Sequence, residues 1–337
     1  MTATPPSFAG TPEAGHDGRD LLADMLRAVR LTGSAFLNAR FTEPFGVLSP
    51  RRFDARKPLA HLRHVSIFHL IASGGCTVQL PEGAPHTCSG GDVLLIPFAD
   101  DHRIWNGPYD AMAHGDDLVQ PGPIKGLWNI SHGGGGETTR MVCGFIESSE
   151  FLFSPVFRTL PPLIVYKANS DRVGAVITGT VCQILDLADT ATPGAELMLG
   201  HLMELLFVEV LRRYAMELPP NAKGWFAALN DPAISRVLRL VHEDPARRWT
   251  VEELAKQAGA SRTVLAERFN AVMGQAPIEY VTAWRMQLAA GRLRSSDESL
   301  AVIAAEVGYE SEAAFNRAFK RVTGITPGRW REGTPEL

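Results

Sequence analysis

Two stretches near the C-terminus of the 337-residue chain carry one pattern twice. The first, TVEELAKQAGASRTVLAERFNAVMGQAP, runs from Thr250 to Pro277; the second, SLAVIAAEVGYESEAAFNRAFKRVTGITP, runs from Ser299 to Pro327. Leu254-Ala255 and Gly259 match Ile303-Ala304 and Gly308 at an offset of 49. The second copy then has one extra turn residue. Beyond it, Ser261, Leu265, Phe269, Val272, Gly274 and Pro277 match Ser311, Phe315, Phe319, Val322, Gly324 and Pro327 at an offset of 50. Each copy reads as helix, turn, helix. Thr250 with Glu253 forms a capping box, Gly259 and Gly308 suit a left-handed turn, and Ser261 and Ser311 sit where an N-cap belongs. Leu265 with Phe269, and Phe315 with Phe319, make the inward stripe of each second helix.

That leaves Arg262, Thr263, Ala266 and Glu267 outward in the first copy, and Glu312, Ala313, Asn316, Arg317 and Lys320 outward in the second. Short side chains with Arg and Asn suit a major groove, where Arg reads guanine and Asn reads adenine. Arg268, Lys320, Arg321 and Arg329 are placed for phosphate contacts, which position without specifying. Glu267 is expected to form a salt bridge to Arg268 or another basic neighbour rather than to read cytosine. The segment from Pro277 to about Leu293 predicts one connecting helix. At 1.5 Å per residue it spans roughly 25 Å, enough to hold two recognition helices about one DNA turn, roughly 34 Å, apart.

The segment from Trp249 to Arg331 resembles the DNA-binding domain of the AraC/XylS family of bacterial transcription regulators. The residues that carry the resemblance are Ala255, Gly259, Ser261, Phe269, Gly274, Pro277, Trp284-Arg285, Ala289, Ile303-Ala304, Val307-Gly308-Tyr309, Ser311-Glu312, Phe315, Arg317-Ala318-Phe319-Lys320, Gly324 and Pro327. It implies a sequence-specific regulator of transcription, binding double-stranded DNA and working with RNA polymerase, often as an activator, with no catalysis required. Glu267 stands where many members have a basic or polar residue.

Net charge is −4 overall, but residues 1–220 carry −6 and residues 221–337 carry +2. Bulk charge would not by itself mark a nucleic-acid binder; the arrangement does. No run of apolar residues is long enough to span a membrane, and the first eighteen residues, rich in Pro, Gly and Thr, read as a flexible arm rather than a secretory signal. These features, with four scattered cysteines and no CxxC pair, place the expected protein in the cytoplasm.

Between residues 34 and 150, alternating short runs and tight turns predict a β-barrel or sandwich. There GGDVLLIPFADDHRIWNG resembles the second cupin motif at Gly91, Pro97, His102 and Asn106, with Ala99 where a Gly is usual. The resemblance is to the cupin-type sensor domain fused to many AraC-type regulators. The first cupin motif is incomplete: its best register gives Leu62, His64 and Phe68. His64 and His102, with Cys143, are candidate effector contacts and, less favoured, ligands for Zn or Fe. His69, of opposite alternation, is expected to face away. The GGGG at 133–136 lacks the Lys-Ser/Thr of a phosphate loop and reads as a plain loop.

Two helices follow. Leu199, Leu202, Leu206 and Val210, widened by Met198, Met203 and Leu205, form a stripe more apolar than one barrel face requires, so residues 170–217 are expected to make a homodimer contact. Residues 219–224 read as a linker, and Trp225–Glu243 as a support helix. A terminal helix from Asp20 to Leu31 has either the barrel or a dimer partner to pack on. The expected fold class is thus α+β multidomain. It comprises a flexible arm (1–18), a cupin-like β-barrel (19–168), dimerisation helices (169–218), and an all-α tandem helix-turn-helix domain (225–332). Two other readings compete. One is a metal-dependent cupin enzyme, a dioxygenase or isomerase, which the incomplete ligand set disfavours. The other is a redox switch at Cys76, Cys88 or Cys143.

Overall fold

The computed structural model describes residues 20–333 apart from 30, 50–64, 109–110, 168–171, 191 and 220. The segment read as an arm (1–18), Leu62 and His64 lie outside the described residues.

After a short helix α1 (Leu21–Arg27), the N-terminal half is built from strands β1 (Thr32–Thr42), β2 (Phe45–Leu48), β3 (Val65–Ser73), β4 (Gly75–Gln79), β5 (His86–Ser89), β6 (Val93–Ile96) and β7 (Arg103–Asn106). It continues with β8 (Ala113–His114), the single turn α2 (Gly115–Leu118), β9 (Gln120–Pro121), β10 (Trp128–Gly133), β11 (Thr138–Glu147) and β12 (Ile164–Tyr166). They form two sheets, in the orders β12-β6-β3-β11-β1-β10-β9 and β5-β4-β7-β2-β8. This is the expected β-rich cupin-like domain. Alternation explains the layering. On β1, Leu37, Ala39 and Phe41 join Phe45, Val47, Val78 and Ile104 of the smaller sheet in one core. Phe68, Leu70, Val142 and Ile146 point to the other side of the larger sheet, into a second core.

Helices α3 (Arg172–Thr190) and α4 (Ala195–Glu217) cover that second face. The approach is close because glycines line it. A Cβ on Gly33 would lie 2.4 Å from the Gly200 carbonyl oxygen, and one on Gly144 would lie 2.5 Å from Met203 Sδ. The structure corrects the expectation for α4. Leu199, Met203, Leu206 and Val210 are all buried against their own domain, so the stripe expected to need a partner has one within the chain. Leu197, Met198, Leu205 and Met216 remain exposed, within an arc of about 100° on the opposite face of the helix.

The predicted support helix is two: α5 (Trp225–Leu229) and α6 (Pro232–Glu243), parted where Asp231 caps α6 and Pro232 takes its first position. Trp225, Tyr280 and His242 share a buried polar chain here, with Trp225 Nε1 donating to Tyr280 Oη at 3.0 Å and His242 Nε2 lying 2.7 Å from that oxygen. The repeats fold as read. Helices α7 (Val251–Gln257) and α8 (Arg262–Met273) form the first unit, α9 (Pro277–Ser295) connects, and α10 (Leu300–Glu306) and α11 (Glu312–Thr323) form the second. Helix α12 (Pro327–Arg331) closes the domain, with Trp330 buried and donating to the Ala290 carbonyl at 3.0 Å. The Thr250–Glu253 capping box is present, and Gly259, Gly274, Gly308 and Gly324 all take positive φ.

Helix α1 packs across toward the C-terminal helices, not on the sheets alone. Met25 is fully buried in a core shared with α6 residues, and the Ala28 carbonyl accepts from Gln287 Nε2 of α9 at 3.1 Å. The stretch after β11 also reaches across, placing Phe153 in the core of the second helix-turn-helix unit beside Trp330.

Candidate nucleic-acid interface and sensor cavity

Helix α8 turns Leu265, Phe269 and Met273 inward. Its outward row is therefore Thr263, Glu267 and Asn270, with Val264 53% exposed beside it. Arg262 is exposed but paired with Glu252 at 2.9 Å, and Ala266 is half-buried. Arg268 is held at its Nε by Asp231 Oδ2 at 2.7 Å, which ties α8 to the cap of α6. Val264 and Asn270 were missed from sequence. Asn270 lies on the flank of the helix, about 100° from the inward stripe, which is why the stripe alone did not single it out.

Helix α11 presents Glu312, Ala313, Arg317, Lys320 and Arg321 at its surface, while Asn316 is half-buried. Arg321 lines a cleft with Phe153 and Arg158, so it faces the sensor half. Arg329 is exposed on α12. Arg285 of α9 fixes the geometry between the units. Its Nε donates to the Pro245 carbonyl at 2.7 Å and its Nη2 to the Arg247 carbonyl at 2.8 Å, and the guanidinium lies 5.7 Å from the Tyr309 ring centroid. One side chain thus joins the loop before α7, the connecting helix and the turn after α10.

In the sensor half a cavity of about 40 Å³ lies between the sheets. Its walls are mostly apolar, including Leu37, Phe41, Ile104, Ile130 and Met141, and Ser49, His69, His102, Cys143 and Asp116 are among its polar groups. Contrary to expectation, His69 faces this cavity: it stands on the same face of β3 as Ile71, which belongs to the inter-sheet core. Its Nδ1 lies 2.9 Å from Cys143 Sγ and its Nε2 lies 2.8 Å from His102 Nε2, whose Nδ1 in turn meets the Asp100 carbonyl at 2.8 Å. Burial, and then the neighbouring His102, hold the His69 pKa well below the usual imidazole value.

Cys143–His69–His102 is a chain rather than a claw. His69 uses one ring nitrogen toward each neighbour, so the three donors do not converge on one point. No cluster of three metal-ligating side chains occurs among the described residues. Zn or Fe would need a different arrangement of these rings.

Cys76 and Cys88 are directly opposed in the β4–β5 register. Burial pushes the Cys76 thiol up to about 12 and the Cys88 thiol up to about 11, with Lys167 opposing the shift at Cys88. Burial raises Cys143 further still. At neutral pH a thiol near 11 is thiolate in roughly one molecule in ten thousand. Proximity therefore favours a redox pair and reactivity opposes one.

Ala99 occupies the motif position where the cupin pattern has Gly, and it takes φ +49°. The backbone still makes the glycine-type turn, with Ala99 N donating to the Ile96 carbonyl at 3.1 Å.

A cupin family model matches residues 20–216, and a helix-turn-helix domain model matches residues 254–333. A Streptomyces lividans protein named as an AraC-like transcription regulator is 32% identical over 83% of this chain and 89% of its own length. A Streptomyces antibioticus protein of the same description is 37% identical, over 79% and 86% respectively. The HTH-type transcriptional regulator AlkR of Acinetobacter baylyi is 30% identical over 79% of this chain and 87% of its own. With a cupin-type sensor half and two helix-turn-helix units locked to one connecting helix, the chain belongs to the AraC-like family of DNA-binding transcription regulators.

Proposed function

We propose that the protein is a cytoplasmic homodimer that carries no catalytic activity. It binds directly repeated or asymmetric sites through two successive major grooves, acts together with RNA polymerase, and answers to a small effector held between its two sheets. The observation that carries the DNA reading is the pair of exposed helix rows, Thr263–Glu267–Asn270 and Ala313–Arg317–Lys320, joined by one rigid helix through Arg285. Selection of genomic fragments by the purified chain, followed by footprinting, tests it. The expected site has two contact patches about one helical turn apart, with affinity falling steeply with salt. Uniform protection without discrete patches would overturn the reading.

The effector follows from the cavity. Its lining is mostly apolar, so the ligand is mainly apolar, with one polar group for His102, His69 or Cys143. The dimer reading is supported by α4, whose exposed Leu197, Met198, Leu205 and Met216 lie opposite its buried face. Leu205→Glu is expected to give a folded monomer by sedimentation; an unchanged dimer would move the interface elsewhere.

A further inference from the structure

Glu267 stands in the middle of the outward row of α8, with Thr263 one turn before it and Asn270 about one turn after. The 50-residue offset between the repeats makes Arg317 its counterpart on α11. The two recognition helices thus present opposite charges at one equivalent position.

The carboxylate has no hydrogen-bond or ion-pair partner among the described residues. The cations nearest in sequence are engaged elsewhere: Arg262 pairs with Glu252 at 2.9 Å and Arg268 with Asp231 at 2.7 Å. Three and four residues away on the helix stand Val264, Asn270, Thr263 and Ala271, none of them a cation. The expected salt bridge to Arg268 is absent because Arg268 pairs instead with Asp231, the N-cap residue of α6. A free carboxylate facing a polyanion is unfavourable unless it meets hydrogen-bond donors.

The major-groove edge offers such donors only as the amino groups of cytosine and adenine. At adenine the amino group is flanked by two acceptors, its own N7 and the paired thymine O4, which repel a carboxylate; at cytosine an acceptor, the paired guanine O6, stands on one side only. From this we infer that Glu267 is a specificity-determining residue that reads a cytosine N4 amino group in the half-site bound by α8, while Arg317 reads guanine in the half-site bound by α11. The inference rests on the DNA-binding reading and assigns the base chemistry of its first helix.

The test is selection from a randomised double-stranded DNA library with the full chain, its E267A variant and its E267Q variant. Circular dichroism melting serves as the check on folding, which an exposed side chain leaves unchanged. The wild-type site should carry one column fixed as C in one patch, with other bases bound roughly ten- to a hundredfold more weakly. E267A should lose the preference in that column alone, leaving the second patch intact. E267Q should shift the column toward A, because an amide offers both a donor and an acceptor to adenine. The inference is overturned if E267A keeps the column, or if it tightens all sequences equally, which would make Glu267 a source of repulsion only. A wild-type chain that selects no discrete site would overturn the DNA reading itself, and this assignment with it.

Discussion

Arg294 of α9 donates from Nη1 to the Glu150 carboxylate at 3.1 Å, across the boundary between the sensor half and the DNA-binding half. Glu150 is 1% exposed and also accepts from Ser148 Oγ at 2.5 Å, while the Arg294 guanidinium lies 4.2 Å from the Trp330 ring centroid. Removing one partner of a buried pair leaves an uncompensated charge. Arg294→Ala should therefore destabilise the protein by about 3 kcal/mol. Arg294→Ala combined with Glu150→Ala should recover part of that loss, as a double-mutant cycle in urea would show. Additive losses would mean the two side chains act independently.

Ala99 holds φ +49° in a buried turn. Left-handed backbone costs an L-residue roughly 1–2 kcal/mol, against a smaller entropic cost for glycine in the unfolded chain. Ala99→Gly should raise stability by up to about 1 kcal/mol, read as a higher thermal midpoint. Ala99→Val should lower it.

Acid should weaken the sensor half through His69. Its folded pKa is depressed, so the unfolded chain takes up a proton below about pH 6.5 that the folded one refuses. Stability is then full above that pH and falls by up to roughly 1.4 kcal/mol per pH unit below it, until the folded group itself titrates. Denaturation of the wild type and of His69→Gln between pH 7.5 and pH 5 should show a shallower loss in the variant. Equal slopes would assign the acid sensitivity to other groups.

Thiol chemistry should divide the four cysteines. Cys182 is exposed on α3, whereas Cys76, Cys88 and Cys143 are buried with raised pKa values. An aromatic disulfide reagent should label one thiol per native chain promptly and all four once the chain is unfolded. Prompt reaction at Cys76 or Cys88 would revive the redox reading for that opposed pair.

Local features carried most of the DNA-binding half. Caps, positive-φ glycines and the 3.6-residue stripe depend on neighbours within a few residues, and Ser261, Gly274, Ser311 and Gly324 all behave as their positions dictate. In the first half, the cupin-motif resemblance pointed to His102, which lines the cavity with Cys143, while strand alternation misplaced His69. Period-two alternation says which residues share a face of a strand, not which face meets the second sheet.

What the sequence determined by itself is therefore the duplicated helix-turn-helix, its connecting helix and the β-rich character of the first half, because these rest on short-range backbone chemistry repeated often enough to be read; the cupin type of that half came from a motif resemblance. The tertiary structure alone decided which partners the charged and apolar side chains take. It bound Arg268 to Asp231 and left Glu267 free; it buried Leu199 and Leu206 on their own sheet and left Leu205 in the open; and it joined Glu150 to Arg294 across 144 residues. Each of those outcomes depends on packing between elements distant in the chain, where burial and geometry, rather than residue type, select the neighbour.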